Sequence, residues 1–118
     1  MKSYLMLIAN EMDKPMYRQG TVIPGIEPTD FFTYWSIADT DEYADNVSLF
    51  LKDSYQVYFY CHTKCLLTNE NYLEDAMREF KEKAEAYDLV VSKPQDIAAP
   101  DKYVGQMCRV SFARHEEI

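Results

Sequence analysis

Residues 47–63 constrain the fold more than any other segment, because most of this stretch alternates with the two-residue period of a β-strand. Successive side chains of a strand point to opposite faces of its sheet. One face of the predicted strand carries Tyr55, Val57, Phe59 and Cys61, and the other carries Gln56, Tyr58, Tyr60 and His62. Because both faces hold large side chains, we expect one face to pack on helices and the other to meet a second sheet or a partner. Lys52-Asp53-Ser54 is a candidate turn or bulge within the segment.

Two helices and further strands are predicted around this strand. The expected order is a helix over residues 3–13, strands over 16–22, 31–37 and 47–63, a helix over 69–87, and strands over 89–91 and 104–115. Residues 38–46 and 93–100 are predicted loops, the first because it is acidic and the second because it lies between prolines. The longer helix is marked by an apolar stripe at helical spacing, and Asn71 with Glu74 resembles a capping box.

This order of elements favours an α+β fold. Strands are grouped before the long helix without regular strand–helix alternation, so the sheet is expected to be mainly antiparallel and flanked by two helices. The 118 residues match the size of one domain, and 47% of them are hydrophobic, which is enough for a core. We find no repeat, linker or low-complexity segment, so residues 1–118 are interpreted as a single domain.

The charge of the chain excludes some functions. The formal net charge is −8, and no cluster of Lys and Arg is present, so specific nucleic-acid binding is not expected. An acidic balance fits solubility, a basic protein partner, or a surface that DNA passes without adhering. The three cysteines are odd in number and irregularly spaced, which favours reduced thiols in a cytoplasm. The apolar run at residues 4–9 is too short for a signal peptide or a membrane span.

Candidate metal sites fail on geometry or on missing ligands. Cys61-His62-x-x-Cys65 resembles half of a zinc site, but adjacent strand residues point to opposite faces and cannot both ligate one ion. The acidic residues of the 38–46 loop lack the glycine and the closing glutamate of a calcium loop. No metal or other cofactor is therefore predicted.

Catalytic constellations are also missing from the sequence. The two histidines, His62 and His115, are not accompanied by a recognisable nucleophile and orienting acid. The three glycines lie too far apart to form a loop that cradles phosphate. We therefore predict that the protein is not an enzyme and acts by fitting against other proteins.

Aromatic side chains are the most informative remaining feature. They are concentrated in residues 31–35 and on the face of the 47–63 strand that carries Tyr58 and Tyr60. Such residues serve either as core or as a subunit interface, and both readings stay open at this point. The candidate subunit or partner interface comprises Phe31, Phe32, Tyr34, Trp35, Tyr58 and Tyr60.

The order of these motifs resembles a family. Tyr17-Arg18-Gln19-Gly20-Thr21, Asp30-Phe31-Phe32-Thr33-Tyr34-Trp35, the acidic loop with Asn46, and Gln56-Val57-Tyr58-Phe59-Tyr60 are similar to a group of small tail-assembly proteins. These occur in long-tailed bacteriophages and prophages of Gram-positive bacteria, and the group is similar to tail terminator and tail-to-head joining proteins. The resemblance covers roughly residues 16–115.

The resemblance implies a structural virion protein without catalytic residues. Its copies would make heterologous contacts that close into a ring, usually a hexamer, at the head-proximal end of the tail tube. The implied partners are further copies of the chain, the tail tube protein and head connector proteins, with DNA passing through the lumen without specific binding and no membrane involved. The chain would reside in the host cytoplasm during assembly and in the virion tail afterwards. The acidic residues expected to face the lumen or a neighbour are Asp39, Asp41, Glu42 and Asp45.

One alternative function remains from the composition. A small acidic domain also suits an inhibitor or immunity protein that binds a basic toxin or nuclease. Self-association separates the two functions, because a ring subunit assembles with its own copies whereas an immunity protein binds a single basic partner.

Overall fold

The described part of the chain, residues 2–18, 29–36 and 54–112 of a computed structural model, places helices against one face of a six-stranded sheet. This confirms the α+β prediction. The helices are α1 (Lys2–Glu11), α2 (Cys65–Thr68) and α3 (Tyr72–Glu85). The strands are β1 (Met16–Arg18), β2 (Asp30–Ser36), β3 (Tyr55–His62), β4 (Leu89–Val91), β5 (Gln95–Ile97) and β6 (Tyr103–Phe112).

The sheet is mainly antiparallel, as predicted. Its order is β1-β2-β3-β6-β4, and β5 pairs with the same edge of β6 as β4 does. The β1–β2 pair is parallel, and the other strand pairs are antiparallel. The central pair is β3 with β6, which runs in register from Tyr55 opposite Val110 to His62 opposite Tyr103.

Strand β5 corrects the prediction of a loop over residues 93–100. Three residues separate Val91 from Gln95, whereas two separate their partners Val110 and Met107, so the β4–β5 edge carries one extra residue. Such a bulge bends the edge locally. Ser92 holds it to β6, since its N–H donates to the Arg109 carbonyl and its Oγ accepts from the Arg109 N–H at 2.8 Å.

The core lies between the helices and one face of the sheet. At its centre the Phe32 ring packs at a tilt against the rings of Phe59 and Phe80, with centroids 4.8 and 5.2 Å away. These three side chains come from β2, β3 and α3 and are fully buried, so they tie the two layers together. The rest of the buried apolar set includes Leu5, Ile8, Tyr34, Val57, Cys61, Met77, Ala84, Leu89, Cys108 and Val110.

Helix α1 ends in a motif that fixes the chain leading into β1. Asp13 lies in the left-handed region with φ 62°, a conformation that Asp tolerates better than most residues. The Asp13 N–H donates to the Asn10 carbonyl and the Lys14 N–H donates to the Ala9 carbonyl, which is the Schellman arrangement. Pro15 cannot continue the helix. Lys14 is thereby held at the turn between α1 and β1.

The start of α3 differs from the prediction. The helix begins at Tyr72, and the Asn71 side chain makes no capping hydrogen bond, so the expected capping box is not formed. Asn69 takes part of that role, because its Oδ1 accepts from the Asn71 N–H and its Nδ2 donates to the Asp75 carboxylate at 3.1 Å. The short helix α2, which precedes this turn, was not predicted. Among the described residues, no helix is both long enough and apolar enough to span a membrane.

Candidate interaction surface

The sheet face opposite the helices is rich in aromatic side chains, and no described element packs on it. We call this face the open sheet face. Strand alternation and register place there Tyr17 of β1, three residues of β2, four of β3, one of β4, two of β5 and five of β6. These are Tyr17, Phe31, Thr33, Trp35, Gln56, Tyr58, Tyr60, His62, Val90, Gln95, Ile97, Tyr103, Gly105, Met107, Arg109 and Ser111.

Phe31 organises the middle of this face. Its ring lies 6.1 Å from that of Tyr17, 5.2 Å from that of Tyr60 and 5.7 Å from that of Tyr103. The four rings come from four neighbouring strands, and the Phe31 side chain at their centre is buried. The aromatic layer is therefore continuous across β1, β2, β3 and β6.

Two tyrosines of β3 extend the layer along the strand. Tyr58 and Tyr60 are stacked, with centroids 6.4 Å apart and ring planes 4° from parallel. The Tyr58 hydroxyl donates to Gln56 Oε1 at 2.9 Å, which fixes the outer end of that ring. Burial, together with the neighbouring Tyr58, raises the pKa of Tyr60, so this phenol stays neutral at physiological pH. The face therefore offers flat apolar rings with polar tips, the chemistry typical of protein interfaces.

Gly105 makes room for the Tyr60 ring on the neighbouring strand. A Cβ atom at position 105 would lie 2.8 Å from Tyr60 Cδ1 and 3.1 Å from the Phe59 carbonyl oxygen. Because Tyr60 also rests on Phe31, it has little space to move away. We expect Gly105→Ala to lower the free energy of unfolding by about 1–3 kcal/mol, as for other overpacked sites. Urea unfolding measures this loss. A double variant Gly105→Ala, Tyr60→Ala should lose less unfolding free energy than the sum of the losses of the two single variants, because the clash between the two side chains is then absent.

Trp35 and Arg109 lie in one row at the end of the open sheet face. Gln56 stands between them, paired with Trp35 on one side and with Arg109 on the other. Trp35 is 49% exposed, an unusual exposure for the largest apolar side chain. With histidine counted as neutral, Arg109 is the one charged side chain on the open sheet face as defined, and that face holds no carboxylate. The described face is thus uncharged or weakly cationic in a chain of net charge −8.

The structure divides the predicted interface set between two faces. Phe31, Trp35, Tyr58 and Tyr60 lie on the open sheet face. Phe32 and Tyr34 lie on the helix side, where they are part of the buried core and not of the open sheet face. The reason is the two-residue period of β2, which sends alternate members of one aromatic run to opposite faces. The predicted acidic residues Asp39, Asp41, Glu42 and Asp45 lie outside the described residues.

A second cluster of functional groups lies on the core side, where α1, β2 and α3 meet. Lys14 Nζ lies 2.8 Å from Asp30 Oδ2, and the Tyr72 hydroxyl donates to the same oxygen. Burial lowers the pKa of Lys14, but its hydrogen bond and charge interaction with Asp30 outweigh burial, and the pKa is raised. A protonated lysine held by a carboxylate is a poor nucleophile and a poor base, so this cluster suits a structural role better than a catalytic one.

The buried thiols Cys61 and Cys108 are poorly suited to nucleophilic chemistry. Burial raises the pKa of Cys61 to about 12, with a further contribution from Cys65, and burial raises the pKa of Cys108 to about 12. Thiols with so high a pKa hold almost no nucleophilic thiolate at neutral pH. Cys61 faces the core whereas His62 lies on the open sheet face, in agreement with the predicted alternation. Within the described ranges, no group of three or more His, Cys, Asp or Glu side chains is placed to hold a metal ion.

A groove of about 330 Å³ runs between the start of α3 and strands β5 and β6. Glu70, Glu74 and Asp96 line it together with apolar side chains. Gln106 Nε2 donates to the Asp96 carboxylate at 2.9 Å, so this acid already has a partner within the fold. The open sheet face therefore remains the stronger candidate for a functional surface.

Comparisons with protein-family models, with curated proteins and with solved structures find no match to this chain.

Proposed function

We propose that this protein is a structural subunit of a long-tailed bacteriophage or prophage, and that it forms a ring at the head-proximal end of the tail tube. The ring terminates the tube, joins it to the head connector, or does both. Its partners are further copies of the chain, the tail tube protein and head connector proteins. It acts in the host cytoplasm during assembly and then resides in the virion.

The open sheet face is the observation that carries this proposal. A two-layer domain leaves one sheet face to be covered, and here that face bears a continuous aromatic layer with Trp35 half exposed. Aromatic side chains of this kind supply most of the binding energy of protein interfaces. A subunit whose function is to fit against neighbours needs such a surface, whereas it needs no catalytic group.

The charge of the chain supports the passage of DNA through the ring. The chain carries 20 acidic and 12 basic side chains, so a ring of its copies is strongly negative. Such a lining repels phosphate and keeps DNA from adhering during ejection. Asp39, Asp41, Glu42 and Asp45 supply four of these negative charges within seven residues of sequence, and we propose that they face the lumen or a neighbouring subunit.

Assembly of the purified full chain tests the proposal. We expect light scattering to detect a closed oligomer, or negative-stain microscopy to show rings seated on one end of tubes made from the tail tube protein of the same phage. Tubes grown in its presence should stop at a defined length. A chain that stays monomeric and never occupies tube ends would refute the proposed function. Tight 1:1 binding of a basic toxin or nuclease by such a monomer would instead favour the immunity-protein alternative.

A further inference from the structure

A second apolar surface lies on the helix side of the domain. We call it the helix patch, and it comprises Tyr4, Met6 and Leu7 of α1 with Phe112 at the end of β6. These side chains are exposed by 37, 37, 42 and 39%. The buried side of α1 is already formed by Leu5, Ile8 and Ala9, and its exposed side mixes Tyr4, Met6 and Leu7 with polar residues. Three large apolar side chains on the exposed side of one short helix are unusual, because a surface helix is normally polar on the side that faces water.

The helix patch is held in place by ring contacts. The Tyr4 ring packs edge-on against Phe112 with centroids 6.1 Å apart and lies 5.4 Å from the Tyr87 ring. The Tyr87 hydroxyl donates to the Glu11 carboxylate, which ties the end of α3 to the end of α1. An ordered apolar surface of this kind loses little conformational freedom when it binds.

We propose that the helix patch of one copy docks on the open sheet face of the next copy. This inference rests on the proposed function and names the two surfaces through which the ring subunits meet. The helix patch and the open sheet face lie on opposite layers of the same domain, and they differ in shape and composition. A contact between two unlike surfaces of one chain repeats from copy to copy, and it closes into a ring when the rotation between copies permits.

The charges of the two layers favour this pairing over a sheet-to-sheet contact. Among the described residues that define it, the open sheet face carries Arg109 and no carboxylate. On the helix side, α3 carries five carboxylates against three cations, a net charge of −2, and α1 adds no net charge because Lys2 balances Glu11. Docking the helix side on a sheet face therefore brings together opposite charges, whereas two facing sheets bring together two copies of Arg109. Complementary charge sets orientation and suppresses the wrong pairing.

Single substitutions test each surface in the full chain. Leu7→Asp places a charge in the helix patch, and Trp35→Asp places one on the open sheet face. We expect each to weaken self-association at least about tenfold, because both remove an apolar contact and bury a charge at the interface. Leu67→Asp is the matched control, since Leu67 is 86% exposed on α2 and belongs to neither surface. Circular dichroism checks that each variant is folded. If Leu7→Asp is not folded, Met6→Asp replaces it, and if Trp35→Asp is not folded, Arg109→Glu replaces it.

Mixing the two variants distinguishes a contact between unlike surfaces from one between like surfaces. The Leu7→Asp chain keeps an intact sheet face, and the Trp35→Asp chain keeps an intact helix patch. We expect an equimolar mixture to form a 1:1 dimer, measured by light scattering, at concentrations where each variant alone is monomeric. Assembly of the Leu7→Asp chain alone as well as the wild type, or failure of the mixture to dimerise, would overturn the inference.

The outcomes separate this inference from the proposed function. Wild-type rings that persist in both variants would refute the assigned surfaces while leaving the ring-forming function intact. A wild-type oligomer that depends on both surfaces but never occupies the end of a tail tube would refute the function while leaving the assigned surfaces intact. A wild-type chain that is monomeric at every concentration tested, both alone and with tail tubes present, would overturn the inference directly, because no copy would then dock on another.

Discussion

Replacement of Phe32 by alanine is expected to lower the free energy of unfolding by about 3–5 kcal/mol, the range measured for large aromatic side chains removed from protein cores. Phe32 is fully buried, and its ring packs against those of Phe59 and Phe80. Its removal leaves a cavity where β2, β3 and α3 meet. A domain of this size is stable by only about 5–15 kcal/mol, so the variant should unfold at a much lower urea concentration.

The matched control is Trp35→Ala, three residues further along the same strand. About half of the Trp35 side chain is already in water, and we expect its loss to change the free energy of unfolding of the monomer by about 1 kcal/mol. Self-association should respond in the opposite way. Trp35→Ala should weaken it, whereas Phe32→Ala should leave it unchanged as long as the chain is folded. Equal losses of unfolding free energy in the two variants would contradict the division of β2 into a core face and an open face.

The division of β2 into a core face and an open face shows how much of the fold could be predicted from the sequence. Period-two alternation correctly predicted which residues of β3 share a face, because each strand carries that information in its own sequence. Residues 31–35 are aromatic at almost every position, so alternation separates them only when one face of the strand is known to be buried. Without that knowledge Phe32 and Tyr34 were assigned to the interface together with Phe31 and Trp35.

Some residues of the open sheet face were not predicted from the sequence, and they were missed for a common reason. Tyr17, Tyr103 and Arg109 reach the open sheet face through the pairing of β1 with β2 and of β6 with β3. Strand pairing joins distant segments, and a single sequence carries little information on which strands become neighbours. Strand β5 was missed for a related reason. Two of its three residues are polar, all three lie between two prolines, and pairing with β6 makes them a strand.

Replacement of Lys14 by methionine is expected to lower the free energy of unfolding by about 3 kcal/mol. Lys14 and Asp30 are only 16 and 14% exposed, and removal of the cation leaves the Asp30 carboxylate buried with the Tyr72 hydroxyl as its remaining donor in this cluster. Breaking a buried ion pair costs about 3–5 kcal/mol, mainly because the remaining charge is uncompensated. Urea unfolding near neutral pH measures the loss.

The double variant Lys14→Met, Asp30→Asn tests this cause. Asparagine keeps the shape of the carboxylate without its charge, so the double variant should recover most of the stability lost in Lys14→Met. If the double variant is less stable than Lys14→Met alone, the uncompensated Asp30 charge is not the main cause of the stability lost in Lys14→Met. The cluster then stabilises the fold through the attraction between Lys14 and Asp30. Arg78→Met is the surface control, because its ion pair with Asp75 is largely exposed and such pairs contribute about 0–1 kcal/mol.

The same cluster predicts how stability changes at alkaline pH. The pKa of Lys14 is raised above 10.5 in the folded chain, because its hydrogen bond and charge interaction with Asp30 outweigh burial. The pKa of Tyr72 is raised above 10.0 by burial and by its hydrogen bond to Asp30. The folded state therefore holds both protons more tightly than the unfolded state. The contribution of these two groups to the free energy of unfolding is fully present below about pH 10 and is lost as the pH rises through their pKa values in the folded chain.

The stability of the wild type should fall above about pH 10, and the difference in stability between the wild type and Lys14→Met should narrow there. A constant difference from pH 7 to pH 11 would show that the ion pair does not stabilise this junction of α1, β2 and α3.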